Sequence, residues 1–374
     1  MNSVESLLPP ASSPYYIVTP PYVRTSAGIR TLHVLARALR TRGHEAYLVC
    51  NSKIGEIPAS HPALGTPFLE HKIANLHFVE GRTPIVIYPE TIHGNPLSAP
   101  YVVRYILNHI GHLGGPQSYH NADHLIYYAD DLRRGADGLC LFVPVSDPRI
   151  FKPPPEGTKR KGVVVYGSKY RNYHKGDYFG LTSDFIEITR DQPNSQSIKE
   201  IVHILQTSDV LYCYENSAIT IEAILCGCPV VLLKNEHFKT MIAEKELTTN
   251  GIAFSPDPDS IGRARATVSK FRENYLGLFD NFWLQLDQFI EESQARAAAI
   301  EYKTKIAHEK YPISSLPLRK KIKVALRSLI LFFQKNGTLK TTGLLLKMLK
   351  GRYGRHEIRM VLSREYYYYV TKLP

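Results

Sequence analysis

The stretch that decides the fold is Asp209-Val-Leu-Tyr-Cys-Tyr-Glu-Asn-Ser-Ala-Ile-Thr-Ile-Glu-Ala-Ile-Leu-Cys-Gly-Cys-Pro-Val-Val-Leu-Leu233. Val210 to Tyr214 is a short apolar and aromatic run and reads as a strand. A polar turn, Glu215-Asn216-Ser217, follows. Ala218 to Cys226 reads as a helix that ends at Gly227, and Pro229 opens a second strand to Leu233. Strand, turn, helix and strand in this order form one α/β unit, and repeated units imply a parallel sheet covered on both faces.

The same stretch carries chemistry. A helix that starts at such a turn has unpaired backbone amides and the positive end of its dipole, which suit a phosphate. Ser217 and Thr220 add hydroxyls beside Ala218. Glu222 lies about one and a half turns into the helix. A carboxylate there can accept the two hydroxyls of a ribose.

Working outward, the chain repeats this architecture. Tyr15 to Thr19 reads as a first strand. The small-residue loop Thr25-Ser26-Ala27-Gly28-Ile29-Arg30 leads into a helix with an apolar stripe at Ile29, Leu32, Leu35, Ala36 and Leu39, closed by Gly43. Glu45 to Cys50, Pro84 to Pro89, His124 to Tyr128 and Leu139 to Val143 read as further strands, and Val102 to Leu107 as helical between two of them. Phe151 to Lys161, with three consecutive prolines and a charge cluster, breaks the pattern as a linker. A second series follows: strands at Gly162 to Tyr166 and Asp184 to Thr189, a helix from Ser197 as N-cap to Gln206, then the quoted stretch. Gly251 to Phe254 is a short strand before a helical run from Asp259 to His308. The expected organisation is an acceptor-side unit at 1–150, a linker at 151–161, a nucleotide-binding unit at 162–310 and an extension at 311–374, with a cleft between the two units.

At these residues the chain resembles the retaining glycosyltransferases of the GT-B fold. Glu222-Ala223, Gly227 and Pro229-Val230-Val231 match the donor-binding segment of that family. The resemblance implies two Rossmann-like doubly wound domains, a nucleoside-diphosphate-sugar donor on the turn from Ser217 to Thr220, and a ribose on Glu222. The family's first glutamate falls in register with Tyr214, and Glu215 stands one residue on. The resemblance extends loosely to Tyr166-Gly167-Ser168-Lys169-Tyr170-Arg171 and Lys175, where family members carry basic residues for the diphosphate, and to the loop at Gly28. The expected donor-binding set is Gly28, Gly167, Lys169, Arg171, Lys175, Glu215, Asn216, Ser217, Ala218, Thr220 and Glu222.

Catalytic candidates come from the first half. Loops at the carboxyl ends of parallel strands face the ligand crevice. Pro89-Glu90-Thr91-Ile92-His93-Gly94-Asn95 is such a loop, and Glu90 and His93 are its leading candidates, with Asn95 a further polar group. Asp130-Asp131 ends another strand and can meet an acceptor hydroxyl. His93, His109, His112, His120 and His124 are crowded together, but their spacing fits no helix-borne metal pair. No metal and no cofactor beyond the donor are expected.

Composition narrows the class. The chain has 374 residues, a net charge of +12 and five cysteines, an odd number without zinc-hairpin spacing, so buried free thiols are expected. Residues 311–374 hold 14 Lys and Arg against two acids; the remaining 310 residues carry 32 of each sign. A nucleic-acid groove would put basic charge on the folded body, so no nucleic acid is expected. Within 316–359, Leu318, Ile322, Leu326, Leu329 and Phe333 alternate with Lys and Arg, as in a helix lying on an anionic membrane. Packing of that helix back on the body is the equal alternative. Met1 to Pro14 lacks the features of a secretory signal, so a cytoplasmic enzyme, peripheral on the membrane's inner face, is the expectation. The expected partners are a nucleotide-sugar donor and a saccharide or lipid-linked acceptor, as in surface polysaccharide or lipopolysaccharide synthesis. A nucleotide-sugar epimerase and a non-catalytic basic membrane- or nucleic-acid-binding protein are the alternatives.

Overall fold

The computed structural model describes residues 11–50, 59–172, 174–181, 184–189 and 195–303. The basic extension 311–374, with its amphipathic stretch at 316–359, lies outside the described residues. The first unit comprises β1 (Tyr15–Thr19), α1 (Ala27–Thr41), β2 (Ala46–Cys50), α2 (His71–Val79), β3 (Ile85–Pro89), β4 (Tyr101–Ile106), β5 (His124–Tyr127), α3 (Asp130–Arg133) and β6 (Leu139–Cys140). The second comprises β7 (Val163–Tyr166), α4 (Ser168–Asn172), β8 (Phe185–Glu187), α5 (Ile198–Thr207), β9 (Val210–Cys213), α6 (Ala218–Leu225), β10 (Val230–Leu232), α7 (Glu244–Leu247), β11 (Ile252–Ala253) and α8 (Pro258–Ala298).

All strand pairs are parallel, and the orders are β2-β1-β3-β4-β5-β6 and β11-β10-β9-β7-β8. Counted from the first strand of each unit, both sheets begin 2-1-3-4-5. The molecule is therefore two Rossmann-like, doubly wound sheets of one topology, the expected fold class. Each sheet reverses strand order once, between β1 and β3 and between β7 and β9. Doubly wound sheets bind ligands beside such a reversal, at the carboxyl ends of the strands.

The segment expected to be helical at Val102 to Leu107 is strand β4, paired with β3 and β5. All six residues of β4 are buried. A central strand covered on both faces shows no alternation, and five of the six residues are Val, Tyr or Ile, which favour an extended chain. The embedded Arg104 disguises it. That side chain is only 2% exposed and donates to Asp123 at 2.7 Å and to the carbonyls of Ile92 and Gly94. Helix α2 has no counterpart in the sequence reading.

Helix α1 buries Leu32, Leu35, Ala36 and Leu39 against the first sheet. Each of the three leucines contributes roughly 1.5–3 kcal/mol. Gly43 follows the helix with φ 84°, the left-handed conformation expected of a terminating glycine. Helix α5 starts in a capping box: Ser197 accepts from the Glu200 amide while Glu200 accepts from the Ser197 amide. Helix α8 runs 41 residues, roughly 60 Å at the α-helical rise. Ala264, Phe271, Tyr275 and Leu278 pack in the second unit, while Phe282, Leu286, Phe289 and Ala297 pack under the first sheet. One helix thereby fixes the two sheets relative to each other. The five cysteines are free, four of them buried and Cys140 half-buried.

Candidate functional site

The two sheets aim their carboxyl ends at one cleft of about 330 Å³. Its walls include Pro20 after β1, Glu90 after β3, Asn108 after β4, Lys169 after β7 and Asn216 after β9. Both strand reversals open onto it. Two helix starts also meet there, Ser26-Ala27-Gly28 of α1 and Ser217-Ala218 of α6. The deeper wall is apolar, with Tyr128, Met241, Ile242 and Phe271.

The first turn of α6 fits the expected phosphate cradle. Ser217 occupies the N-cap position in extended conformation, yet its side chain makes no capping bond. Its hydroxyl and the amides of Ala218 and Ile219 are therefore left for a ligand, while the Thr220 amide donates to the Ser217 carbonyl at 3.1 Å. Thr220 lines the cleft and donates to the Cys213 thiol at 3.7 Å. Asn216 fastens the turn to the 240–242 segment, donating to the Thr240 carbonyl at 2.9 Å and accepting from the Ile242 amide at 3.1 Å. Across the cleft, a Cβ on Gly28 would meet only Leu107 Cδ1 at 3.6 Å. Glycine there leaves room rather than relieving a clash.

Glu90 is 5% exposed and lines the cleft. It accepts from the Leu107 amide at 3.2 Å. Burial pushes its carboxyl up to about 7, against the lowering effect of the backbone amides. A carboxyl poised there is suited to general acid–base work near neutral pH.

Several expected site residues lie elsewhere. Glu222 does not line the cleft. Its carboxylate takes the Arg30 guanidinium at 2.8 Å, with the Ser146 hydroxyl at 3.4 Å, and both charged side chains are nearly covered. The charge of the carboxylate expected to hold a ribose is satisfied by a cation from α1, and Glu222 joins the two units. Glu215 accepts from the Lys169 and Tyr170 amides at 2.7 and 3.1 Å. It caps α4 and removes those amides from phosphate binding, although it lines a smaller adjoining pocket. Arg171 pairs with Glu187 at 2.8 Å and lies over the Tyr178 ring, outside the cleft. Lys175 donates to the Asn172 carbonyl and is exposed. Gly167 packs against Tyr178 and Tyr214, where a Cβ would come within 2.8 Å of a ring carbon. Of the expected cations, Lys169 alone lines the cleft.

His93 is exposed and its Nε2 meets the Gly114 carbonyl at 3.0 Å, which pins a loop rather than facing the cleft. Asn95 bonds Tyr88 and Ala99 and closes the same loop. The Asp130-Asp131 pair is a contact between the units: Asp130 meets Lys245, and Asp131 accepts from the Ala243 amide. His124 is buried against Tyr101 at 2.6 Å, and its imidazole is pushed down to about 4 by burial and by Arg296.

Asn108 and the 241–242 segment escaped the sequence reading of the site. Asn108 had a signal, since it stands two residues after the end of β4. Reading β4 as a helix hid the loop at its end.

No protein-family model matches the sequence, and no curated protein matches it. Among solved structures, the chain is similar to the glycosyltransferase SnogD from Streptomyces nogalater, at 15% identity and TM-score 0.38 over 77% of this chain and 99% of that one. It is also similar to an alpha-glucosyltransferase in complex with UDP and a 13-mer DNA, at 11% identity and TM-score 0.39 over 77% and 99%. A third is the spinosyn rhamnosyltransferase SpnG complexed with thymidine diphosphate, at 15% identity and TM-score 0.35 over 76% and 98%. At this level of similarity the fold rests on the sheet topology itself. Among the described residues no helix is long and apolar enough to cross a membrane.

Proposed function

We propose that the protein transfers a sugar from a nucleoside-diphosphate-sugar to an acceptor hydroxyl. The observation that carries this reading is the cleft at two aligned strand reversals, with the uncapped start of α6 and Lys169 on one wall and Glu90 on the other. Negative charge builds on the departing diphosphate as the glycosidic bond breaks. Preorganised amides, the Ser217 hydroxyl and the Lys169 ammonium stabilise that charge at α6. Glu90 takes the proton of the attacking acceptor hydroxyl. The apolar wall at Met241, Ile242 and Phe271 excludes water, which limits hydrolysis of the donor.

The acceptor we propose is a saccharide or a lipid-linked saccharide, as in surface polysaccharide synthesis, and the basic excess at 311–374 supports work at an anionic membrane. Donor binding is tested by thermal unfolding with a panel of nucleoside diphosphates and their sugars. At least one should raise the unfolding midpoint. No shift with any of them sinks the reading. Liposome sedimentation with and without residues 311–374 tests the membrane contact; equal pelleting removes it.

A further inference from the structure

Beside the cleft lies a second, smaller pocket of about 150 Å³. It shares Asn108, Lys169 and Asn216 with the cleft and is built from both units. The first unit supplies His109 and His112 from the loop after β4. The second supplies His174, His237 and Lys239. His174 and His237 stack with ring centroids 3.7 Å apart. The floor is Tyr214, stacked on Tyr170 at 5.4 Å.

We propose that this pocket binds an anionic group, a carboxylate or a phosphate, borne by one of the two sugars in the reaction. That the ligand is a sugar rests on the function proposed above; the preference for an anion rests on the pocket alone. Two lysines and four histidines line a cavity whose single acid among the described residues is Glu215. Its Oε2 accepts from the α4 amides, and Glu236, outside the lining, pairs with His237 at 3.0 Å. Burial first, and then the neighbouring positive groups, lower three of these imidazoles. The His112 imidazole is pushed down by burial and then by Lys169, His109 and His174. His174 is pushed down by burial, His237 and Lys169, with Glu236 opposing. His109 is lowered by burial and by Arg134, with Asp131 opposing. Among the described residues no group of three or more His, Cys, Asp or Glu is placed to hold a metal ion. An incoming anion would relieve this repulsion and raise the imidazoles, so binding takes up protons. Affinity is then higher at low pH and falls as pH rises through the imidazole range of the complex.

Isothermal titration calorimetry of the full chain tests this with two pairs of probes. UDP-glucuronate against UDP-glucose places the charge on the donor sugar. Glucose 6-phosphate against glucose places it on the acceptor. In one pair the charged member should bind about tenfold more tightly near pH 6, with the advantage shrinking near pH 8. Its heat should vary with buffer ionisation enthalpy in the sense of proton uptake. The pair that shows the advantage names the source of the anion. His112→Gln combined with His174→Gln, and separately Lys239→Gln, should remove the advantage while the unfolding midpoint stays in place. Charged and neutral members that bind alike in both pairs near pH 6 overturn the proposal, as does an advantage that survives these substitutions. If every nucleoside diphosphate fails to bind, the donor reading falls instead, and the glucose 6-phosphate pair still decides the pocket.

Discussion

Glu90 and Glu222 stand in the two regions that face each other across the molecule, one after β3 and one inside α6. They are equally covered, at 5% and 6% exposure. Glu222 has a guanidinium at 2.8 Å, while Glu90 has an amide at 3.2 Å and a cleft in front of it. Burial alone therefore does not mark a carboxylate as functional. What each can do depends on whether a cation from the other unit has already satisfied it. The paired carboxylate holds the structure together, and the carboxylate with no cation bonded to it titrates near neutral pH and is available to exchange a proton.

The comparison breaks most directly at Glu90. Glu90→Gln keeps the shape and removes the proton acceptor, so transfer should fall by about 10²–10⁴-fold with donor affinity retained. A rate within a few-fold of wild type would remove Glu90 from catalysis. At Glu222 the effect should fall on stability. Glu222→Ala leaves Arg30 buried and uncompensated, at an expected cost of about 3–5 kcal/mol in chemical denaturation. A stable Glu222→Ala protein that loses nucleotide binding would assign Glu222 to the ribose instead.

The third effect is a pH dependence of stability. The folded carboxyl of Glu90 titrates at about 7 against an ordinary 4.5. A raised folded value means that the folded state favours the protonated form. Its contribution is complete below about 4.5 and is lost as pH rises through about 7, an order-of-magnitude loss of about 3 kcal/mol. Glu90→Gln should flatten that part of the stability profile; an unchanged slope would place the titration elsewhere.

The smallest effects separate two serines at helix starts. Ser197 caps α5 in a reciprocal box, and Ser217 caps nothing. Ser197→Ala should cost about 1 kcal/mol of stability and leave ligand binding alone. Ser217→Ala should leave stability alone and weaken nucleoside diphosphate binding roughly fivefold. Equal effects on stability would mean that Ser217 is an ordinary cap.

Local pattern by itself determined most of the fold. The apolar runs at β1, β3, β7 and β9, the stripe of α1, the cap at Ser197 and the helix stop at Gly227 are each settled within a few residues, because strand burial, helix period and capping are short-range effects. The turn from Asn216 to Thr220 and the loop at Glu90 were legible for the same reason: they follow strands whose carboxyl ends must face the crevice. The tertiary structure decided the partners. Arg30 is far from Glu222 along the chain, Glu187 intercepts Arg171, and Glu215 turns to the amides of α4. Four histidines from both units meet in one pocket. Charge pairing is set by distance in space, and no pattern of neighbours along the chain carries it. The two carboxylates, alike as sequence, were separated only when α1 delivered a guanidinium to one of them.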